Sequence, residues 1–231
     1  MHEEKHFKQP AFVRDLIIGL SDGITVPFAL TAGISGAIDN NLIIVTAGIA
    51  EICAGSISMG LGGFLSAKTE EEHYYNEQKR EYLEVENIPD RERQEVKDVF
   101  AGYGLSESTQ ELVADEICKD KHVWVDFMMR YELGLEKPDS GRAHRSAFNI
   151  ALSYIVGGLI PLSGYIFTSS SAKGLLASSC ITIVCLLFFG YLKSKVTGQN
   201  PITGSLKTTG IGIAAAVSAF AFAYFFSHKV V

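Results

Sequence analysis

The chain lacks most of the signatures by which common functions are recognised. Its four cysteines include no Cys-x-x-Cys pair: Cys53, Cys180 and Cys185 fall within apolar runs, and Cys118 lies in an amphipathic stretch without a neighbour. Neither a disulfide framework nor a zinc site is expected, and the thiols read as structural. There is no nucleophile elbow and no phosphate-binding glycine loop, so covalent catalysis and ATP hydrolysis have no support. Basic residues are not in excess, and a formal charge of -6 is not a nucleic-acid footprint. The N-terminus does not read as a cleavable signal, because Arg14 and Asp15 open an apolar stretch too long for one. No internal repeat is visible.

What is present is apolar length. A bilayer core about 30 Å thick needs about 20 mostly apolar helical residues to cross it. Five segments meet that requirement: residues 12–38, 42–67, 147–168, 174–192 and 202–226. The first two are separated only by Asp39-Asn40-Asn41, a link so short that it makes a helical hairpin. The last three are rich in Gly, Ala and Ser, as is usual where membrane helices pack closely. The expected fold is therefore an all-α integral membrane protein. It divides into residues 1–67 with the first two spans, a polar helical insert at 68–141, and residues 142–231 with the last three.

Charge is distributed unevenly between these parts. Nineteen of the 26 acidic residues fall between Lys68 and Pro138, so the negative charge belongs to the insert. Lys5, Lys8 and Arg14 precede the first span, Arg142 and Arg145 the third, and Lys193, Lys195 and Lys207 flank the fourth-to-fifth loop. The opposite loops carry mainly Asp39 and Lys173. By the positive-inside tendency the N-terminus and the insert face the cytoplasm, and five spans put the C-terminus, with no tail of note, on the other side. Pro89, the Gly102 and Gly104 pair, and Pro138 bound three insert helices: one continuing from the second span to Asn87, one over 90–101, and one over 108–134. Ser108 with Glu111 fits a capping box at the start of the third.

Polar residues inside the spans are the first functional candidates. Asp22 lies mid-span among Gly19, Gly23 and Pro27, which loosen the helix and free backbone carbonyls. An ionisable group at that depth costs several kcal/mol unless it meets water, a partner or an ion. Asp15 lies one heptad earlier on about the same face. Glu51, Gly55 and Met59 follow at four-residue steps, so a carboxylate and a thioether share one stripe with a small residue between them. Oxygen ligands alone suit magnesium or calcium, whereas an added soft sulfur favours later transition metals. Against this, an intramembrane acid can be structural, and a membrane methionine is often only core filler.

The insert supplies a second set. Glu81 with Glu84, and Glu92 with Glu95, form Glu-x-x-Glu pairs on either side of the Pro89 break, each on one helix face. Met128, Met129 and Glu132 follow. Helices packed around these side chains would hold metal among carboxylates, as helical bundles hold di-iron centres. The competing reading is a solvated, Glu-rich surface paired with Lys79, Arg80, Arg91 and Arg93. His73 and His122 are lesser candidates.

The motifs Arg14-Asp15-Leu16-Ile17-Ile18-Gly19-Leu20-Ser21-Asp22-Gly23 and Glu51-Ile52-Cys53-Ala54-Gly55-Ser56-Ile57-Ser58-Met59-Gly60 are long and specific. Through them, and over nearly its whole length, the chain resembles the vacuolar iron transporter family. The resemblance implies a homodimer with five membrane helices per subunit in the vacuole membrane, and an ion path between the subunits. It also implies exchange of cytosolic iron(II) for lumenal protons. Positions matching Asp22, Glu51 and Met59 would line the path. Those matching Glu81, Glu84, Glu92, Glu95, Met128 and Glu132 would belong to a cytoplasmic metal-binding domain, whose presence points to the plant and fungal type.

The expected activity is thus transport, not enzymatic catalysis. No permanently bound cofactor is expected, the metal being cargo: Fe2+ first, with Mn2+, Co2+ and Zn2+ unranked by residue types alone. Protons, membrane lipids and a second copy of the chain are the expected partners, and nucleic acid is not one. Two other readings stay open: a metal-gated channel, and a membrane-anchored ferritin-like buffer or oxidase in which the insert does everything.

Overall fold

A computed structural model describes residues 11–229. The described residues contain helices and no strands. In chain order they form α1 (Ala11–Ala37), α2 (Asn41–Asn87), α3 (Pro89–Gly102), α4 (Glu107–Ile117), α5 (Lys121–Phe127) and a π-helical turn (Met128–Glu132). The order continues with α6 (Arg142–Ile166), α7 (Ser171–Val196) and α8 (Pro201–Lys229). Helices α1, α2, α6, α7 and α8 are each long and apolar enough to cross a membrane, as expected. Lys5 and Lys8, used above for orientation, lie outside the described residues.

The chain divides into two compact units. One runs through Phe64 and resumes at Ala143, and the other is Leu65–Arg142. The 47-residue helix α2 contributes its first half to the former and its second half to the latter.

Within the first unit, glycines decide how closely the helices approach. A Cβ on Gly157 of α6 would lie 2.9 Å from the Ile24 amide nitrogen of α1, and one on Gly23 would lie 2.4 Å from the Tyr154 carbonyl oxygen. The two backbones therefore touch, which membrane helices achieve through small residues because apolar burial gives them little drive to associate. Helix α1 also packs against α7 and α8. Pro27 sits inside α1 without ending it. Its missing N–H leaves the Gly23 carbonyl without the usual helical donor, and Thr31 turns its own hydroxyl back onto the Pro27 carbonyl at 2.8 Å.

The short loop before α2 is held by side chains. Asn40 Oδ1 accepts from the Leu42 amide at 3.0 Å, capping α2. Asn41 Nδ2 donates to the Thr168 carbonyl at 2.7 Å, and the Ser171 hydroxyl donates to Asp39.

The second unit has its own core of Val85, Val96, Ala114, Trp124, Val125, Met128 and Met129, drawn from α2, α3, α4, α5 and the π turn. Pro89 stands at the first turn of α3, where its missing donor is harmless. Two expectations fail here. The single helix expected over 108–134 is divided, because Asp120 takes an extended conformation and its Oδ1 accepts from the amides of His122 at 2.7 Å and Val123 at 3.3 Å, starting α5 afresh. The same stretch then widens into the π turn, with Leu133 N–H bonded to the Met128 carbonyl at 3.1 Å, and closes at Gly134, whose φ of +65° suits a residue without Cβ. The capping box of Ser108 with Glu111 does not form. Helix α4 begins at Glu107 behind Ser106, and Glu111 turns its carboxylate to Arg93 and Lys97 of α3.

Candidate functional site

The break at Pro89 determines the chemistry of the second unit. It ends α2 just past Glu81 and Glu84 and lets α3 return with Glu92. One carboxylate oxygen from each of these three residues lies within 4.8 Å of the others. Glu81 and Glu92 are each 1% exposed, and each has an Oε2 atom that is buried without a hydrogen-bond partner.

Such an arrangement is electrostatically unfavourable as it stands. Burial pushes the Glu81 carboxyl up to about 7, helped by Glu132 and Glu84 and opposed by Arg80. Burial likewise pushes Glu92 up to about 7, helped by Glu95, Glu81, Glu84 and Glu132. At Glu132, an exposed residue, partial desolvation of the carboxyl and then Glu95 push it up. The five acids singled out in the insert are therefore electrostatically linked, although only three converge within ligand distance.

The basic residues do not neutralise the group. Arg80 lies 2.7 Å from Glu77, but 3.6 Å from Glu81 and 3.7 Å from Glu84, and it reaches neither buried Oε2. Arg91 pairs with Glu95 at 3.1 Å on the exposed side. Arg93 bonds to Glu111 and, at 2.7 Å, to Asp115. A cluster of carboxylates with unsatisfied buried oxygens and too few counter-charges is completed either by protons or by a cation. Oxygen donors at this spacing suit a divalent ion.

Met128 and Met129 were expected beside these acids as soft ligands. Both are fully buried in the apolar core with Val96, Trp124 and Val125, and Glu132 ends the π turn that Met128 begins. His73 is exposed, and His122 pairs through Nδ1 with the Tyr82 hydroxyl at 2.7 Å. Neither histidine belongs to the carboxylate group.

In the first unit, Glu51, Gly55 and Met59 are all half-buried at their four-residue steps along α2, between the buried row of Ile52, Ser56 and Gly60 and the exposed positions of the helix. Glu51 Oε1 accepts a hydrogen bond from the Tyr154 hydroxyl of α6, while its Oε2 is buried without a partner. Asp22 on α1 is half-buried. Asp15 is buried, and its Oδ1 has no partner. Tyr154 was missed in the sequence, since one tyrosine in an apolar run forms no motif. A hydroxyl at the middle of a span was the only available sign.

The chain matches the VIT family over residues 13–224. It is 51% identical over 222 residues to vacuolar iron transporter 1 of Tulipa gesneriana, covering 96% of this chain and 90% of that one. It is 49% identical over 222 residues to vacuolar iron transporter 1 of Eucalyptus grandis, covering 96% of this chain and 89% of the relative. Protein CCC1 of Saccharomyces cerevisiae is 40% identical over 208 residues, which are 87% of this chain and 63% of the yeast protein.

Proposed function

The chain belongs to the VIT family, and from that premise we propose that it moves iron(II) from the cytosol across the vacuolar membrane in exchange for protons. Manganese(II), cobalt(II) and zinc(II) are the other ions its ligand types admit. The working form is a homodimer, with the N-terminus and the 65–142 unit on the cytosolic side.

The observation that carries this reading is the convergence of Glu81, Glu84 and Glu92 within 4.8 Å, with two buried oxygens unpartnered. This group, with Glu95, Glu132, Met128 and Met129 as its further ligands, collects the ion. Asp15, Asp22, Glu51 and Met59 then pass it along a polar path beside Gly55. At each step a carboxylate holds either a metal or a proton, so protons arriving from an acidic compartment displace metal from the same oxygens. That competition couples the two flows without ATP.

An anchored buffer would need no acids inside its spans. Glu51, which keeps one buried oxygen unpartnered there, supports transport over that alternative. Iron(II) titration of the full-length protein by calorimetry tests the collecting step. Glu81→Gln and Glu92→Gln are each expected to remove high-affinity binding at pH 7.5, and undiminished binding in both would contradict it.

A further inference from the structure

Tyr154 is 2% exposed and contacts both helices that carry the intramembrane acids. Its hydroxyl donates to Glu51 Oε1 on α2. Its backbone presses on α1 beside Asp22, where a Cβ at Gly23 would lie 2.4 Å from the Tyr154 carbonyl oxygen and 2.8 Å from its Cα.

Gly55, one turn beyond Glu51, explains how the phenol reaches its acceptor. A Cβ there would lie 2.4 Å from the Tyr154 hydroxyl oxygen, 2.5 Å from Cζ and 2.6 Å from Cε1. The edge of the phenol therefore fills the space that a side chain at position 55 would occupy. The stripe of Glu51, Gly55 and Met59 has no gap: the oxygen of Tyr154 stands over its middle position.

We propose that Tyr154 is a positioning residue of the membrane path, whose hydroxyl fixes the Glu51 carboxylate so that its unpartnered Oε2 faces the passing ion. The inference rests on the transport reading above. A carboxylate with no donor on either oxygen turns freely about its last torsion. One oxygen held by a buried phenol leaves the other in a set direction, and an ion then binds without having to order the ligand first. Gly55 is required because any side chain there displaces the phenol.

The test is the initial rate of iron(II) uptake by the full-length protein in liposomes, measured over a range of iron(II) concentrations. Tyr154→Phe is expected to raise the half-saturating concentration about tenfold with the maximal rate kept within about twofold, the effect of losing one hydrogen bond to a charged acceptor. Gly55→Ala is expected to do the same although it leaves both the tyrosine and the glutamate in place. The double variant is expected to be no worse than either single, since both act through one contact.

A half-saturating concentration in Tyr154→Phe equal to that of wild type overturns the proposal. So does a loss confined to the maximal rate that tracks the amount of folded protein on size exclusion, as a purely structural tyrosine would give. Glu51→Gln separates this failure from a deeper one. Its expected result is loss of uptake. Full uptake in Glu51→Gln would remove the path itself, whereas loss there with normal saturation in Tyr154→Phe would defeat only the role of the tyrosine.

Discussion

Glu81 on α2 and Glu92 on α3, eleven positions apart across the Pro89 break, each bring a carboxylate oxygen within 4.8 Å of the other in surroundings that leave both residues 1% exposed. Two buried acids so placed, each held up to about 7, are poised to exchange protons for a cation near neutral pH.

Stability follows from that pairing. Both carboxyls rise from 4.5 to about 7 on folding, so between those values the folded chain keeps protons that the unfolded chain releases. The metal-free unit therefore loses stability as pH rises through that window, by roughly 3 kcal/mol per group at pH 8. Trp124, the chain's only tryptophan, lies in the core of this unit and reports its unfolding. The midpoint of thermal unfolding in chelator, followed by its fluorescence, is expected to fall from pH 5 to pH 8, and Glu92→Gln is expected to flatten the fall. A midpoint rising over that range would contradict the assignment.

Competition between metal and proton is expected in solution as well. Calorimetry at pH 6.5 in buffers of different ionisation heat is expected to show about one proton or more released per metal bound, declining toward none by pH 8.5. Saturating metal at about 100 times its Kd is expected to stabilise the folded protein by about 2.7 kcal/mol, and chelator to reverse the gain.

The start of α5 depends on a single cap. Asp120→Ala removes the acceptor for the His122 and Val123 amides and is expected to cost about 1 kcal/mol, with Asp120→Asn retaining most of it. Denaturant midpoints followed at Trp124 distinguish the two variants, and equal values would show that the cap contributes nothing.

The crossing of α1 and α6 tolerates no added carbon. Gly157→Ala would set a Cβ 2.9 Å from the Ile24 nitrogen and is expected to destabilise the protein by about 1–3 kcal/mol through overpacking. A lower unfolding temperature in detergent micelles is the readout.

The long apolar helices and the stripe of Glu51 and Met59 were legible in the sequence, because length and a four-residue step are local properties. The Glu81 and Glu92 pairing was half legible. Pro89 signalled the break, but which oxygens converge depends on how α3 packs on the core around Val96. The division of 108–134 was not legible: its apolar residues continue through the break, and Asp120 acts as a cap only where the backbone turns extended. The burial of Met128 and Met129 was equally hidden, since a thioether beside acids reads alike as ligand or core. Tyr154 could not be found from its own neighbours, because its partner Glu51 lies 103 positions away.

The central claim is tested most directly by iron(II) uptake into liposomes holding the full-length protein, with and without an acidic interior. Wild-type uptake is expected to require the pH gradient, to fall to background in Asp22→Ala and Glu51→Gln, and to be only weakened in Glu81→Ala. Uptake indifferent to the gradient, or unchanged when both Asp22 and Glu51 are replaced, would contradict proton-coupled transport along this path.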